Sequence, residues 1–419
     1  MEIKNIPKHW QIKNLGSVCK LKNGFAFKSD LYLNTGIPVI RISDINGGSV
    51  SSTKSVRVTP IGEYENYLIE NNDILVAMSG ATTGKFGIYK SSEKAFQNQR
   101  VGKFQILDAS ILNNEFLFHQ INSLKRQIEK DAYGGAQPNI SSSKIEQMRI
   151  VLPPLHEQLN IVSKIEKLFN ELENGRRQLL KAEEQLRVYR QSLLKWAFEG
   201  KLTNKKVKEG ELPKGWTTVK IIDLVEDNKH SLKAGPFGSS LKKEFYVQKG
   251  YKIYGQEQVI GNDPFLGAYF IGKEKYEELK TCRIKPLDIL ISLVGTVGKV
   301  LILPKNCLEG VINPRLIKIT LNRDVYLHKF FKYYFESSFV KQFYGSKAQG
   351  TTMDVLNLGI IKTIPFPRPS IQEQQQIIDD LEQKLTVCDK MEETIENALL
   401  QSEALRQSIL KQAFEGKLI

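Results

Sequence analysis

Residues 157–202 read EQLNIVSKIEKLFNELENGRRQLLKAEEQLRVYRQSLLKWAFEGKL, and residues 373–418 read EQQQIIDDLEQKLTVCDKMEETIENALLQSEALRQSILKQAFEGKL. The second stretch repeats the first 216 positions later (373 against 157) without a gap. Both open on Glu-Gln and close on Ala-Phe-Glu-Gly-Lys-Leu. A long segment that recurs once, each time behind a more divergent stretch, describes a chain made of two half-molecules.

Within the first copy, positions 161, 165, 168, 172, 175, 179, 182, 186, 189, 193 and 196 follow a 4-3 spacing, and all but Gly175 are apolar. The matching positions of the second copy run from Ile377 to Gln412 and include Met391 and Leu405. Heptads sustained over this length predict a coiled-coil seam, because only a 3.5-residue period keeps one face against a partner helix. The first copy is mildly basic and the second acidic, so the two predicted helices suit each other. Only the short polar link 203–211 separates the first helix from the next module, which then feeds the second helix. That connectivity makes the pair antiparallel. Pro153-Pro154, and Pro365, Pro367 and Pro369 before the second copy, mark extended approaches expected to detach each helix from its module, against the alternative that each packs on its own module as a core helix.

A chain of 419 residues is too long for one core. No apolar run reaches the roughly 18–20 residues of a membrane helix, and no secretory pattern opens the sequence, so a cytoplasmic protein without membrane association is expected. Cys19, Cys282, Cys307 and Cys388 are scattered and show no metal-binding spacing. The net charge is +14, yet the two repeats together hold 14 basic and 17 acidic residues. The positive excess therefore lies wholly in the divergent modules, which points them toward a polyanion and leaves the helices as scaffold.

The modules share sparse landmarks. Pro7-Lys8-His9-Trp10 matches Pro213-Lys214-Gly215-Trp216. Asp73-Ile74-Leu75 followed by Gly80–Lys85 (numbers 80–85) matches Asp288-Ile289-Leu290 followed by 295–299. Asn98-Gln99-Arg100 matches Asn313-Pro314-Arg315, and Tyr133-Gly134 matches Tyr344-Gly345. Short β-type runs (37–42, 74–78, 253–254, 301–303) alternate with Gly and Asn turns, and helical patterns follow at 114–130 and 326–343.

These features together resemble the specificity subunit of a type I restriction-modification system. The match is carried by the Pro-x-x-x-Glu-Gln opening (Pro153 to Gln158, Pro369 to Gln374), the Ala-Phe-x-Gly-Lys-Leu close, the glycine turn after Asp-Ile-Leu, and the Gln137-Pro138-Asn139-Ile140-Ser141 loop. The second module departs from that loop with Gln349-Gly350-Thr351-Thr352-Met353. The resemblance spans the chain. It implies an α+β fold of two pseudo-symmetric, mixed β-rich target-recognition domains separated by two long helices in an antiparallel coiled coil. The expected division is 1–152, helix 153–203, linker 204–211, 212–367 and helix 368–419. Implied partners are double-stranded DNA, two methyltransferase subunits and, in the full complex, restriction subunits. S-adenosylmethionine, ATP and magnesium are then expected only in those partner subunits.

Catalytic patterns are not found. The 80–85 turn has one residue too few between its glycines for a phosphate loop, and Phe86 stands where Ser or Thr would ligate magnesium. No Asn-Pro-Pro-aromatic tetrad occurs, and His9, His119, His156, His230 and His328 form no ligand grouping. Reading is therefore expected of polar loop residues. In the first module these are Lys28, Ser29, Arg41, Ser43, Asp44, Thr82, Lys85, Arg100, Gln137 and Asn139. In the second they are Ser239, Ser240, Lys242, Lys243, Gln256, Gln258, Lys299, Arg315, Lys347 and Gln349. Arg and Lys suit guanine, Asn and Gln suit adenine, and many lysines serve phosphate. By the resemblance, Glu157, Gln158, Phe198, Glu373, Gln374 and Phe414 are candidate docking residues for partner subunits. A stand-alone DNA-binding regulator, a protein scaffold without DNA and a cryptic enzyme remain as alternatives at this point.

Overall fold

The computed structural model describes residues 6–132, 138–204, 206–208, 211–347 and 356–418. Gln137 and Gln349 lie outside the described residues, as do the neighbouring 133–136 and 350–353 motifs. Contacts divide the chain into two units, Met1–Leu179 with Glu396–Ile419, and Leu180–Ile395. Each unit therefore holds one module, the start of its own helix and the end of the other helix.

In the first unit the strand Val101–Ile106 lies between Cys19–Asn23 and Ile74–Ala77, antiparallel to both. Ile74–Ala77 continues antiparallel to Phe86–Tyr89, and Gly48–Val50 adds parallel to that edge. A smaller sheet pairs Ala95–Gln97 parallel with Ile37–Ile40. The second unit repeats this plan. Leu316–Ile319 lies between Leu232–Ala234 and Ile289–Ser292, the latter pairs with Val300–Ile302, and Gly310–Ile312 runs parallel with Tyr251–Tyr254. Ile74–Ala77 and Ile289–Ser292 are buried at every position, which is why both read as near-continuous apolar runs rather than alternating ones. The preceding aspartates fix the turn into each strand. Asp73 accepts Glu70 N at 2.9 Å and Lys103 Nζ at 3.2 Å, and Asp288 accepts Lys285 N at 2.7 Å.

The predicted helix at 114–130 is Asn114–Ala132. That at 326–343 is two helices, His328–Phe335 and Ser338–Lys347, broken where Glu336 accepts Val300 N (2.9 Å) and Ser337 Oγ accepts Val340 N (3.4 Å). The repeats form helices of 44 residues each, Leu155–Phe198 and Ile371–Phe414. In the first unit Lys164 reaches the Leu418 carbonyl and Arg406 covers the Phe169 ring at 4.3 Å. In the second, Arg190 pairs with Asp389 and Glu392, while Thr203 meets Glu373. Rising numbers on one helix meet falling numbers on the other, so the pairing is antiparallel.

Two expectations need correction. The approach prolines do not detach the helices. Ile161, Val162, Ile165 and Phe169 share one buried cluster with Ile150 and Val151 of the preceding strand and with Ile409, Leu410 and Phe414. The helix begins directly after Pro153-Pro154 because proline suits a helix's first turn, and it stays in the module's core. The seam also shifts by one residue at alternate positions. Leu186, Leu193, Cys388, Ile395, Ser402 and Ile409 turn inward as expected, but Tyr189, Trp196, Met391 and Leu405 are exposed, and Arg190, Ala197, Glu392, Leu399, Arg406 and Ala413 take the inward places between. Ala197 and Ala413 are fully buried, and their small side chains leave room for a close approach at the helix ends.

Those ends explain the repeated motifs. Each helix stops in a left-handed glycine: Lys201 N donates to Trp196 O (2.8 Å) and Gly200 N to Ala197 O (3.3 Å), matched by Lys417 N to Gln412 O (2.9 Å) and Gly416 N to Ala413 O (3.2 Å). In the first unit a Cβ on Gly416 would lie 2.5 Å from Pro7, and Trp10 Nε1 donates to Glu157 at 2.8 Å. In the second a Cβ on Gly200 would lie 2.2 Å from Pro213, and Trp216 Nε1 donates to Glu373 at 2.9 Å. The Pro-Lys-x-Trp landmark thus clasps the start of one helix to the end of the other. Burial opposes the charge on Glu157, but the Trp10 and His9 hydrogen bonds outweigh it and hold that carboxyl below its usual range.

Candidate nucleic-acid interface

The six expected docking residues take part in these closures. Gln158 is fully buried: its amide donates to the Ile111 and Pro153 carbonyls (both 2.8 Å) and accepts Asn113 N (2.9 Å). Gln374 repeats this with Val325, Pro369 and Leu327. Phe414 meets Phe116 edge-on at 5.5 Å, and Phe198 meets Phe330 and Tyr334 at 5.4 and 5.1 Å. Glu157 and Glu373 hold the tryptophans. A buried amide left without these partners would cost free energy, so each Gln is bound into the start of its helix.

In each module some of the candidate loops meet at the Asn-x-Arg turn. In the first module, Asn98 Oδ1 accepts Arg100 N (3.3 Å) and Val101 N donates to Asn98 O (2.9 Å), which turns Gln99 and Arg100 into solvent. Gly24 lies so close that a Cβ would sit 2.2 Å from the Gln97 carbonyl, and Phe25 N and Gln99 N bond across the contact. Met78 N donates to Arg100 O (2.9 Å), joining the end of Ile74–Ala77 to the turn. The 80–85 turn is tied to Pro138 by Gly80 N (3.0 Å) and Thr83 Oγ1 (3.0 Å). Arg100, Asn139, Gln99, Asn23, Ser79 and Ser142 line the resulting open cleft of about 1040 Å³.

Other first-module candidates lie elsewhere. Lys28 and Ser29 are exposed at the turn Ser29–Leu31. Asp44 is a cap, accepting Arg41 N (2.8 Å) and Ser55 Oγ (3.1 Å), and Arg41 lies over Tyr32 at 5.9 Å, so only Ser43 of that trio is exposed, its hydroxyl donating to Asp44 Oδ1 at 3.2 Å. Thr82 is half-buried. Lys85 is exposed at a separate 310 Å³ cavity beside His119, Lys125 and Arg406. The 80–85 stretch links two antiparallel strands and no helix follows it, so it has no phosphate-loop geometry.

In the second module Asn313 Oδ1 accepts Arg315 N (2.9 Å), Leu293 N donates to Arg315 O (3.0 Å), and a Cβ on Gly235 would lie 1.9 Å from Asn313 O. Arg315 Nη1 reaches Gln256 Oε1 at 3.5 Å, and Gln256 also donates to the Val294 carbonyl. Arg315 and Gln256 are thus brought together as a guanidinium–amide pair beside the 295–299 turn. Gln258 is not a reader: it is fully buried, accepting Gly255 N at 2.6 Å and donating to the Leu266 carbonyl. Lys299, Lys242, Lys243 and Ser239 are exposed, and Ser240 is half-buried. Lys347 lies in the helix Ser338–Lys347. Sequence reading missed Gln99, although it stands between the two landmark residues Asn98 and Arg100. It also missed Lys252, whose buried ammonium donates to the carbonyls of Phe265, Leu266 and Gly267 (3.2, 3.0 and 2.8 Å). Nothing in a lone lysine signals that role.

No three His, Cys, Asp or Glu side chains among the described residues are placed to hold a metal ion, and no described helix is long and apolar enough to cross a membrane. The model of the type I restriction modification DNA specificity domain matches residues 7–182 and 213–401, both modules with much of both helices. The chain belongs to this family. Over 429 residues it is 26% identical to the type I restriction enzyme EcoBI specificity subunit of Escherichia coli, covering 99% of this chain and 87% of that one. It is 23% identical to the EcoKI specificity subunit of Escherichia coli K12, covering 100% and 91%. A chain solved in work on assembly and conformational transition of the type I R-M system superposes with a TM-score of 0.74 at 18% identity, covering 99% of this chain and all of that one. The HsdS subunit from Thermoanaerobacter tengcongensis gives 0.63 at 18%, covering 98% of each. The structural likenesses establish the two-domain fold with long helices. As a member of the specificity family, the chain is a DNA-recognition subunit rather than a catalytic one.

Proposed function

We propose that each module reads one half of an asymmetric bipartite DNA target. The observation that carries this is the same scaffold built twice, Asn-x-Arg turn against glycine loop, with different side chains around it: Arg100 beside Asn139 and Gln99 in one, Arg315 beside Gln256 in the other. Arg pairs with guanine and Asn or Gln with adenine through two hydrogen bonds each, so different sets select different half-sites. The exposed lysines Lys28, Lys85, Lys242, Lys243 and Lys299 supply phosphate contacts that set affinity and salt dependence.

Two methyltransferase subunits, and restriction subunits in the full assembly, are the proposed partners, and they bring S-adenosylmethionine, ATP and magnesium. With the helix-end residues internal, docking falls to the exposed apolar side chains of the helices. In the second unit these are Val188, Tyr189, Trp196, Val387 and Met391. The two 44-residue helices act as the ruler for the non-specific spacer between half-sites. The test is adenine-methylation mapping in a host carrying the system. Exchanging one module for another family member's is expected to replace one half of the methylated motif and leave the other half and the spacer unchanged. A motif altered in both halves overturns the assignment. Adding one helical turn to both helices is expected to lengthen the spacer alone.

A further inference from the structure

We infer that Phe237 of the second module contacts the DNA and recognises a thymine through its 5-methyl group. This rests on the reading of the module as a DNA-recognition domain and names a residue which that reading leaves out. Phe237 is 89% exposed, more than any other large hydrophobic side chain among the described residues. Its backbone is nevertheless held on both sides. Gly235 N donates to Leu316 O (2.9 Å), and Gly235 abuts the Asn313 carbonyl so closely that no side chain fits there. Pro236 then fixes its own φ. Phe237 itself, extended at φ −60° and ψ 148°, caps the turn Gly238–Ser240, and its carbonyl accepts Ser240 N at 2.8 Å. A ring fixed at its root and left in water has no role in this module's core.

The first module has no such ring. There Gly24 makes the same close approach to the Asn-x-Arg turn, and the residue capping the next turn, Ser29–Leu31, is Lys28, which is exposed. Phe25 and Phe27 of that loop face inward, packed with Tyr64 at 5.1 and 4.8 Å. The counterpart of Lys28 is Lys242, which caps the turn Lys243–Phe245 in the same way, so the second loop is three residues longer (235 to 242 against 24 to 28) and Phe237 stands in the added stretch. Around Phe237 the surface is polar and cationic, with Ser239, Lys242 and Lys243 exposed, as suits a polyanion and not an apolar protein face. The loop abuts the turn that carries Arg315, whose guanidinium reaches Gln256 at 3.5 Å, and both side chains suit major-groove edges. The one apolar group on those edges is the thymine methyl, and phenylalanine is among the side chains that meet it.

The test uses this chain in complex with its methyltransferase partner and a duplex bearing the motif defined by methylation mapping. Each thymine of the second module's half-site is replaced in turn by deoxyuridine, which removes only the methyl. Wild type is expected to lose roughly fivefold in affinity at one position. F237A is expected to bind the thymine duplex roughly tenfold more weakly and to ignore that replacement, with F237L intermediate. A half-site without thymine, a wild type indifferent to every replacement, or an F237A complex that responds like wild type overturns the proposal. F237A weakened equally on both duplexes assigns the ring to another contact and overturns the thymine. If the wild-type complex binds no mapped duplex, the DNA reading itself fails.

Discussion

Trp10 holds Glu157 and covers Gly416 in one unit, and Trp216 holds Glu373 and covers Gly200 in the other, with indole–carboxylate distances of 2.8 and 2.9 Å. The loops that follow Gly24 and Gly235 start from equally tight contacts, yet one turns its aromatics inward and ends on Lys28 while the other turns Phe237 out. Closure is therefore the same twice, and reading differs. The difference teaches that duplication has kept the closure of each unit alike while the loops beyond the Asn-x-Arg turn diverged.

The comparison breaks most visibly if the clasps are unequal. Gly200→Val and Gly416→Val each place a β-branched residue in the left-handed region and drive Cβ into a proline. Each is expected to cost about 4 kcal/mol. Urea denaturation followed by tryptophan fluorescence measures both, since a tryptophan sits in each clasp. Losses that differ by more than about 1 kcal/mol would show that one unit carries most of its closure elsewhere.

A second expected effect belongs to a position where the two units differ, although burial also lowers the pKa of His328 in the second unit. His119 is buried against Phe169 (5.7 Å), and burial, with Arg406 nearby, pulls its pKa down to about 4. The unfolded chain takes up a proton near pH 6.5 and the folded chain resists until about 4. Stability is thus unaffected above that window and falls as pH drops through it, by up to about 3 kcal/mol. In the second unit Tyr333 occupies the matching helix position and donates to Glu382 at 3.0 Å, so no imidazole titrates there. Denaturation midpoints of wild type and H119Q between pH 7 and 4.5 check this. A wild-type slope that survives in H119Q assigns the acid sensitivity to other groups.

Reading is expected to separate by half-site. Arg100→Ala and Arg315→Ala should each relax discrimination at one guanine by about 1–3 kcal/mol and leave the other half-site intact. Competition binding against duplexes varied one position at a time measures it. Loss of discrimination in both half-sites from either variant would mean that the two modules do not read independently.

How much of this was legible follows from which residues act locally. The repeat, the two long helices, their antiparallel course and the buried strands 74–77 and 289–292 are written in periodicity and chain connectivity. The Glu-Gln opening was visible as a motif but not as a closure. Glu157 finds Trp10, and Gln158 finds Ile111 and Asn113, far back in the sequence, and identity alone does not say which distant group a polar side chain meets. Gln258 illustrates the same limit, since a loop glutamine reads as a base contact until its amide is found under Leu266. Alternate seam positions failed for another reason. Tyr189 and Leu405 are apolar while Arg190 and Arg406 are charged, so counting apolar residues selects the side chains that the structure leaves exposed.

That choice of register places an arginine in each seam, and the two make the finest comparison. Arg190 is ion-paired with Asp389 and Glu392, whereas Arg406 lies over the face of Phe169 at 4.3 Å. Arg190→Met and Arg406→Met are each expected to cost about 0.5–1 kcal/mol at low salt. Their salt dependence should differ. Ions screen a half-exposed carboxylate pair within a Debye length of roughly 10 Å at 0.1 M, but act less on a cation held against a ring. At 1 M salt the cost of Arg190→Met should therefore fall toward zero while that of Arg406→Met persists. Equal salt responses would mean that Arg406 owes its place to charge after all, with the exposed glutamates of the helices and not Phe169 as its partner.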